Sequence, residues 1–410
     1  MTQQLIQYVS DGFEKAKAGN ALDVYQSVSL IHDRGELPSK SHYPFGWIIY
    51  YALHQAADTA IDIRKRMLAR YLKLNVVKPH KLHSMILTEA IRLYKNAREF
   101  SYNKNPRDVT TFSIIKFTEL WNPQYLRPGD WRRKELDGKI LSSTAEKLLT
   151  HLVDEAPGTS ASAPTPPFIS ELADQAIALF PGSPTLLYQR ASLHILEKDT
   201  ASALTLLKEA TLGAPSKYYF WSRLASLINP EEDLRLHISL LYKALSAPGP
   251  EQFKGKIRIA LAKAWISINA FSQALWELSI VKRLYESNTW HLSPDFNKTM
   301  EVIPAGTQPC NPENAYQRIR HLADDFVYES LPPLEVKKTY HKNPVASDKN
   351  KGYGASHVAW RVTDKDGNNF WLHPHRFKIP DNLPLGTPLI IRLHNGKPAK
   401  AELAENTQQS

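Results

Sequence analysis

The chain has 410 residues, 42% of them hydrophobic and 10% aromatic, and its formal net charge is +10. This length favours two or three domains, and the hydrophobic content excludes a disordered protein. The single cysteine, Cys310, excludes an intrachain disulfide and a cysteine-based zinc cluster and indicates a reducing compartment.

Neither export nor membrane insertion is indicated by the sequence. The first residues mix charges without the basic-then-apolar order of a signal peptide. Apolar runs such as residues 45–53 are too short to span a bilayer. We therefore expect a soluble cytoplasmic protein with no membrane contact. The surplus of positive charge draws it toward polyanions, with nucleic acid as the first candidate.

Residues 1–154 are predicted to form a helical region. Apolar side chains recur there at spacings of three and four, the pattern of amphipathic helices, over residues 45–55, 60–74 and 81–97. No clean period links these stretches, although helix pairs like those of a repeat protein are expected.

The stretch from 120 to 152 breaks this pattern and then returns to it. Tryptophan, proline and glycine interrupt it first, and a helix then begins with Ser142 or Ser143 as its cap and Glu146 in its first turn. Residues 155–167 consist almost entirely of proline, alanine, serine, threonine and glycine. That composition predicts a linker or a long loop.

Residues 168–286 contain a repeat with a period of 34 residues, and this shift places Ala191 on Ala225 and Ala210 on Ala244. The small residues and the proline that mark the unit of residues 184–217 are Ala191, Ala203, Ala210 and Pro215. The pattern resembles the tetratricopeptide repeat (TPR) family. Two antiparallel helices approach closely only where side chains are small, and proline ends the second helix.

This resemblance implies stacked helix pairs with a concave groove that binds a protein partner. In that family the groove is lined from the first helix of each pair. The candidate groove residues here are Tyr188, Arg190, His194, Trp221, Arg223 and Lys263. His237 stands where the family has alanine, so we expect its helix pair to be wider or bent.

Residues 287–350 are predicted to be an irregular or helical connector, and residues 351–404 a small all-β barrel. The C-terminal stretches are short, rich in β-branched and aromatic residues, and separated by turn signals. Asp366-Gly367 and Asn395-Gly396 are the expected hairpin turns. A barrel is the natural way for so small a sheet to avoid exposed edges.

Residues 351–404 resemble the cold-shock and related oligonucleotide-binding (OB) barrels. The match rests on the Lys-Gly-Tyr-Gly stretch at 351–354, the aromatic strand that ends in His373, and the Leu-x-x-Gly turn at 383–386. The sequence departs from the family at 355–360, where a further aromatic is usual, and its spacing from Tyr353 to Phe370 is longer. Together, the TPR and cold-shock resemblances imply a mainly α protein, a TPR-like helical solenoid followed by an OB/cold-shock-like barrel.

The aromatic strand is the candidate binding surface. Single-stranded nucleic acid is held by aromatic faces that stack on bases and by cations that follow phosphates. Alternate side chains of a strand share a face, so Trp371 and His373 should point away from Phe370 and Leu372. The candidate nucleic-acid-binding residues are Lys351, Tyr353, Trp360, Arg361, Phe370, Trp371, His373 and Arg376. The alternative is that these aromatics only fill a small core.

Catalytic and cofactor motifs are not found in the sequence. It lacks a glycine-rich phosphate loop, an HExxH motif and a GxSxG motif. A metal at His357, His373 and His375 is disfavoured because no cysteine or carboxylate joins them at ligand spacing. We therefore expect a non-enzymatic protein with no cofactor and no metal.

The predicted function is that of an adaptor, which binds a protein through the helical groove and single-stranded RNA or DNA through the barrel. Two alternatives are a purely protein-binding scaffold and an enzyme that uses the carboxylates Asp324, Asp325 and Glu329. Residues 126–149 and the barrel also faintly resemble TPR proteins of bacterial conflict gene clusters, which implies an accessory role beside a nuclease or helicase in defence. The oligomeric state stays open.

Overall fold

The computed structural model describes residues 2–56, 61–76, 80–103, 112–158, 164–342, 358–377 and 379–404. The chain divides into two compact units, the first formed by Met1–Phe180 with Ile195–Lys198 and the second by Pro181–His194 with Asp199–Ser410. Among the described residues, every helix is too short or too polar to cross a membrane.

The first unit is built from helices and one short hairpin. Its helices are α1 (Thr2–Lys15), α2 (Ala21–Asp33), α3 (His42–Gln55), α4 (Ile61–Tyr71), α5 (Lys81–Asn103), α6 (Ile114–Trp121), α7 (Thr144–Glu155) and α8 (Pro167–Leu179). Strands β1 (Lys134–Leu136) and β2 (Lys139–Leu141) form the hairpin. Helices α3 and α5 approach closely at Gly46, where an added Cβ would lie 2.7 Å from Leu82.

Helix α7 begins at the predicted capping residue. The Ser143 hydroxyl accepts a hydrogen bond from the Glu146 amide at 3.2 Å, and the Glu146 carboxylate accepts one from the Ser143 amide at 2.8 Å. This reciprocal pair is a capping box. Of the two serines predicted as the cap, Ser143 is therefore the one used.

The second unit contains the repeat region. Its helices are α9 (Pro184–Leu196, with its last residues in the first unit), α10 (Thr200–Gly213), α11 (Tyr218–Ala225), α12 (Leu234–Ser246), α13 (Gly255–Ile266), α14 (Phe271–Ser287), α15 (Pro294–Glu301) and α16 (Glu313–Tyr328). The alanines that mark the repeat are fully buried: Ala191, Ala203, Ala210, Ala225, Ala244, Ala262 and Ala274. A mainly helical fold is confirmed, whereas the TPR solenoid stays a prediction.

Helix α16 occupies part of the segment expected to be a connector. The Ser239 hydroxyl of α12 donates to the Ile319 carbonyl at 2.8 Å and accepts from the Ala323 amide at 2.9 Å. Lys243 of α12 pairs with Asp324 of α16 at 2.6 Å. Both contacts fix α16 against α12, so this part of the segment belongs to the helical packing.

A curled, five-stranded antiparallel sheet ends the chain. Its strands are β3 (Pro333–Lys342), β4 (Ala359–Asp364), β5 (Asn369–Leu372), β6 (Pro388–His394) and β7 (Lys397–Leu403), in the order β5-β4-β3-β6-β7. The two outer strands, β5 and β7, also contact each other. The buried side chains of its core are Val336, Trp360, Val362, Leu372, Ile379, Leu389, Ile391 and Ala401.

Both predicted hairpins are present. Asp366-Gly367 lies in the turn from β4 to β5, with Gly367 at φ +83°. Asn395 and Gly396 join β6 to β7 with φ values of +50° and +71°, as a two-residue hairpin turn requires. The first strand, β3, lies before residue 351, the predicted start of the barrel. The sheet therefore begins inside the predicted connector.

Candidate nucleic-acid interface

Three side chains lie in a row across neighbouring strands on the outer face of the sheet. Tyr340 of β3 is paired with Arg361 of β4, and Arg361 is paired with Trp371 of β5. Tyr340 is 46% exposed and Trp371 is 54% exposed. We name Tyr340, Arg361 and Trp371 the aromatic row.

The aromatic row is held together by ring contacts. The Arg361 guanidinium carbon lies 5.6 Å from the centre of the Tyr340 ring, a cation–π distance. The Tyr340 and Trp371 ring centres are 6.3 Å apart, with an angle of 87° between their planes. The two rings therefore do not form a slot for one base. Each side chain remains about half exposed, Tyr340 at 46% and Trp371 at 54%.

A β-bulge at Thr339 sets the direction of the Tyr340 side chain. Val336 and Lys338 of β3 point inward, so regular alternation would also turn Tyr340 inward. The pairing of β3 with β4 shifts between Lys338 and Tyr340, which leaves Thr339 as an extra residue. Such a bulge redirects the side chains that follow it. It places Tyr340 outside, next to Arg361.

Polar groups line one side of the aromatic row. The Thr339 and Thr363 hydroxyl oxygens are 2.8 Å apart. Thr363 also donates to the Asn369 side-chain carbonyl at 2.8 Å. These hydrogen bonds link the side chains of three adjacent strands. The linked side chains place hydroxyl and amide groups on the same face as the aromatic row.

The cations at this sheet differ in their surroundings. Arg361 and Lys337 are exposed, and neither forms an ion pair within the described ranges. Lys338, by contrast, is 2% exposed, and its ammonium lies 4.2 Å from the Trp360 ring centre and donates to the Leu383 carbonyl. Burial lowers the pKa of Lys338. Lys338 therefore supports the interior, while Lys337 and Arg361 are open to an anion.

The predicted binding residues divide between surface and core. Trp371 and Arg361 lie on the outer face, and half-buried His373 follows the end of β5. Phe370 packs against the core, and Trp360 lies within it at 0% exposure. The expectation that Trp360 joins the stacking surface is wrong, because Trp360 and Arg361 are consecutive strand residues and Arg361 takes the outer face.

Some predicted residues cannot be placed. Lys351 and Tyr353 lie outside the described residues, as does the side chain of Arg376. His357 and the His375 side chain also lie outside them. Within the part of the chain that the structure describes, no three histidine, cysteine, aspartate or glutamate side chains form a group suited to a metal ion.

Sequence reasoning missed Tyr340, which was assigned to the connector. The stretch Val336–Lys342 is dominated by lysine and other polar residues, so it lacks the clear alternation that marks a half-buried strand. The available signal was a lone tyrosine among cations. That composition is typical of a nucleic-acid-binding strand.

The predicted groove residues of the helical region have mixed environments. Trp221 is fully buried, and its indole nitrogen donates to the Pro215 carbonyl at 2.7 Å, so its assignment to the groove lining is wrong. Lys263 is exposed and pairs with Asp295 at 2.6 Å. The remaining four are half-buried: Tyr188, Arg190, His194 and Arg223.

Three carboxylates considered for catalysis each face a different lysine. Asp324 pairs with Lys243 at 2.6 Å. Glu329 pairs with Lys208 at 2.7 Å, and Asp325 lies 3.9 Å from Lys400. These ion pairs account for the position of each carboxylate.

Part of the chain is similar to a known protein family. A family model described as a domain of unknown function (DUF7017) matches residues 186–323. The matched range runs from α9 into α16 and leaves the C-terminal sheet outside it. No curated protein matches the sequence.

Proposed function

We propose that this protein is a non-enzymatic adaptor that binds single-stranded nucleic acid on the outer face of its C-terminal sheet. The observation that carries the proposal is the aromatic row, in which an arginine lies between two half-exposed rings on three adjacent strands. Stacking of one base on an aromatic side chain contributes about 1–3 kcal/mol, and arginine adds cation–π and phosphate contacts.

The perpendicular rings suit two successive bases. Because the Tyr340 and Trp371 planes meet at 87°, one flat base cannot stack on both rings at once. A flexible single strand can turn between its bases, whereas the stacked bases of a duplex cannot reach two such faces. We therefore assign one base to each ring and an adjacent phosphate to Arg361.

The strand order supports this proposal. Five antiparallel strands in the order β5-β4-β3-β6-β7, with β5 against β7, have the connectivity of a partly open OB barrel. Such barrels bind oligonucleotides on the face of their second and third strands. Those strands correspond here to β4 and β5, which carry Arg361 and Trp371.

The helical part of the second unit is proposed to bind a protein partner. The burial of the repeat alanines supports a stack of helix pairs, and stacks of this kind present extended binding surfaces. The predicted groove residues that keep some exposure remain the candidates for that surface: Tyr188, Arg190, His194, Arg223 and Lys263. Trp221 is left out because it is fully buried.

The test measures binding of labelled single-stranded RNA and DNA by fluorescence anisotropy, with duplex as competitor. Trp371→Ala should weaken single-strand binding by roughly 5- to 150-fold, the equivalent of one lost stacking contact. Trp290→Ala is the matched control, since Trp290 is a 44% exposed tryptophan elsewhere in the second unit. It should leave affinity unchanged.

Two outcomes contradict the proposal. In one, Trp371→Ala and Trp290→Ala both bind single-stranded nucleic acid as tightly as the unmodified protein does. In the other, duplex competes as well as single strand and salt removes all binding uniformly, as expected for nonspecific attraction to a basic protein. Either result would favour a protein-binding scaffold.

A further inference from the structure

A basic cleft in the first unit is lined by residues that do not belong to the aromatic row. It has a volume of about 570 Å³ and lies between the end of α2 and the last turns of α4. Arg66, Arg70 and Lys73 line it from α4 and the turn that follows, and Asp33 and Gly35 line it from α2 and its end. Spacings of four and three residues bring the three cations to one face.

Arg70 is fixed in position by its neighbours. Its Nε donates to Asp33 Oδ1 at 3.0 Å and a terminal nitrogen donates to Asp33 Oδ2 at 2.5 Å. The other terminal nitrogen donates to the Tyr25 hydroxyl. Hydrogen bonds from Arg70 hold the pKa of Asp33 well below its usual range. The only carboxylate among the residues lining this cleft is thus already engaged.

The remaining charge of the cleft is positive. With His32 left out of the count, three cations against one carboxylate give a net charge of +2. Arg66 and Lys73 are exposed, and neither has an ion-pair partner in the described ranges. The C-termini of α2 and α4 contribute about half a negative charge each. An excess of about one positive charge therefore remains.

These cations are not needed to cap the helices. Backbone amides already satisfy the last carbonyls of α2, with Gly35 donating to His32 at 2.9 Å and Glu36 to Ile31 at 3.1 Å. At the end of α4, Lys73 donates to Arg70 at 3.0 Å through its own amide. The side chains of Arg66 and Lys73 are left for a ligand that carries negative charge.

A second cavity adjoins the first and shares Arg66 and Arg70 with it. It has a volume of about 340 Å³ and a mixed lining of apolar and polar side chains. Its lining includes Leu22, Tyr25, Gln26, Ser29, Ile63 and Met67. Both volumes lie in the range of roughly 300–1,000 Å³ found for small-molecule sites. The pair offers an anion-binding subsite beside a subsite lined by both apolar and polar side chains.

We propose that this paired cleft binds a small phosphorylated ligand of the nucleotide class. Arg66 and Lys73 contact its phosphate, fixed Arg70 lies between them, and the second cavity receives the base. The site shares no residue with the sheet surface, because all its residues belong to the first unit and the sheet belongs to the second.

The experiment is isothermal titration calorimetry of the full chain with inorganic phosphate, with adenosine and guanosine mono-, di- and triphosphates, and with a single-stranded oligonucleotide. The double variant Arg66→Ala/Lys73→Ala removes the two available cations. The matched control is Lys116→Ala/Lys147→Ala, which removes the same charge from exposed positions on α6 and α7. Ile63→Ser alters the second cavity alone.

We expect one of the nucleotides to bind at least tenfold more tightly than inorganic phosphate. Arg66→Ala/Lys73→Ala should weaken that binding at least tenfold, while Lys116→Ala/Lys147→Ala leaves it within twofold. Ile63→Ser should weaken the nucleotide and spare inorganic phosphate.

Three results would overturn the proposal. The first is the absence of heat with every probe at millimolar concentration. The second is an equal loss in the cleft and control variants, which would show a general effect of charge. The third is that only the oligonucleotide binds, and that Arg66→Ala/Lys73→Ala weakens this binding. The cleft would then be a contact for a nucleic-acid backbone. Trp371→Ala should change none of the nucleotide titrations, so failure here is distinguishable from failure at the sheet.

Discussion

Two tryptophans on neighbouring strands should respond to the same substitution in opposite ways. Trp360 is 0% exposed and Trp371 is 54% exposed. Truncation of a fully buried tryptophan to alanine costs about 3–5 kcal/mol. Trp360→Ala also removes the ring that lies 4.2 Å from the Lys338 ammonium, a cation–π contact of about 0.5–2 kcal/mol. We expect a combined loss of about 3.5–7 kcal/mol.

Trp371→Ala should cost far less stability. Its main contact among the described residues is the edge-on packing with Tyr340 at 6.3 Å, and such pairs contribute about 0.5–1.5 kcal/mol. A loss of about 1 kcal/mol raises the local opening constant roughly fivefold, whereas ~4 kcal/mol raises it about a thousandfold. Trp371→Ala should therefore keep its sheet folded, and Trp360→Ala should lose it.

The assay is hydrogen exchange followed by mass spectrometry on peptides that contain β6 and β7. Exchange of buried amides reports the free energy of local opening. In Trp360→Ala the amides of both strands should exchange at the rate of an unfolded chain, and in Trp371→Ala they should stay protected. If Trp371→Ala unfolds these strands while Trp360→Ala protects them, the inner and outer faces have been assigned the wrong way round.

Three further predictions concern the helices. Ser143→Ala removes the cap of α7 and should lower the free energy of unfolding by about 1 kcal/mol in urea titrations, while Ser142→Ala should have no effect. Arg258→Met leaves the Glu277 carboxylate, 1% exposed and 2.7 Å from Arg258, buried without that partner, and should cost about 3–5 kcal/mol by the same measurement. Burial lowers the pKa of His237, so the folded state binds fewer protons there than the unfolded state. The protein is therefore most stable, as far as His237 is concerned, above about pH 6.5, and this part of the free energy of unfolding is lost as the pH falls toward the pKa of His237 in the folded state. His237→Gln should make the unfolding temperature fall less steeply between pH 7 and pH 5. An unchanged slope would contradict this prediction for His237.

The hairpins and the placement of Trp371 and Leu372 on opposite faces could be predicted because local chemistry determines them, whereas which of the two faces is exposed stayed open. Asn395 and Gly396 both adopt positive φ, which few residue types tolerate. In β5, strict alternation separates Trp371 from Leu372, and the observed burial of Leu372 follows it. The helix cap depends on a motif of a few residues, and the sequence restricted it to Ser142 or Ser143. Each of these features is decided by residues close together in the chain.

Features set by distant partners could not be predicted. Lys338 is buried in the sheet because Trp360 and the Leu383 carbonyl receive its ammonium, and an inward lysine hides the alternation of β3. The bulge at Thr339 has no sequence signal of its own. It nevertheless decides that Tyr340 faces outward. The packing of residues 313–328 against α12 also depends on distant partners, the Ser239 hydroxyl bonded to the Ile319 carbonyl and the Ala323 amide.

The most direct test of the proposed binding surface is fluorine NMR of the protein labelled with 5-fluorotryptophan. The chain has nine tryptophans, and Trp371→Phe assigns the resonance of Trp371 by its disappearance. On titration with single-stranded RNA or DNA, the Trp371 resonance should shift or broaden while those of Trp290 and buried Trp221 stay in place. An unmoved Trp371 resonance at saturating oligonucleotide would show that bases do not stack on the aromatic row, and would contradict the assignment of this face to nucleic acid.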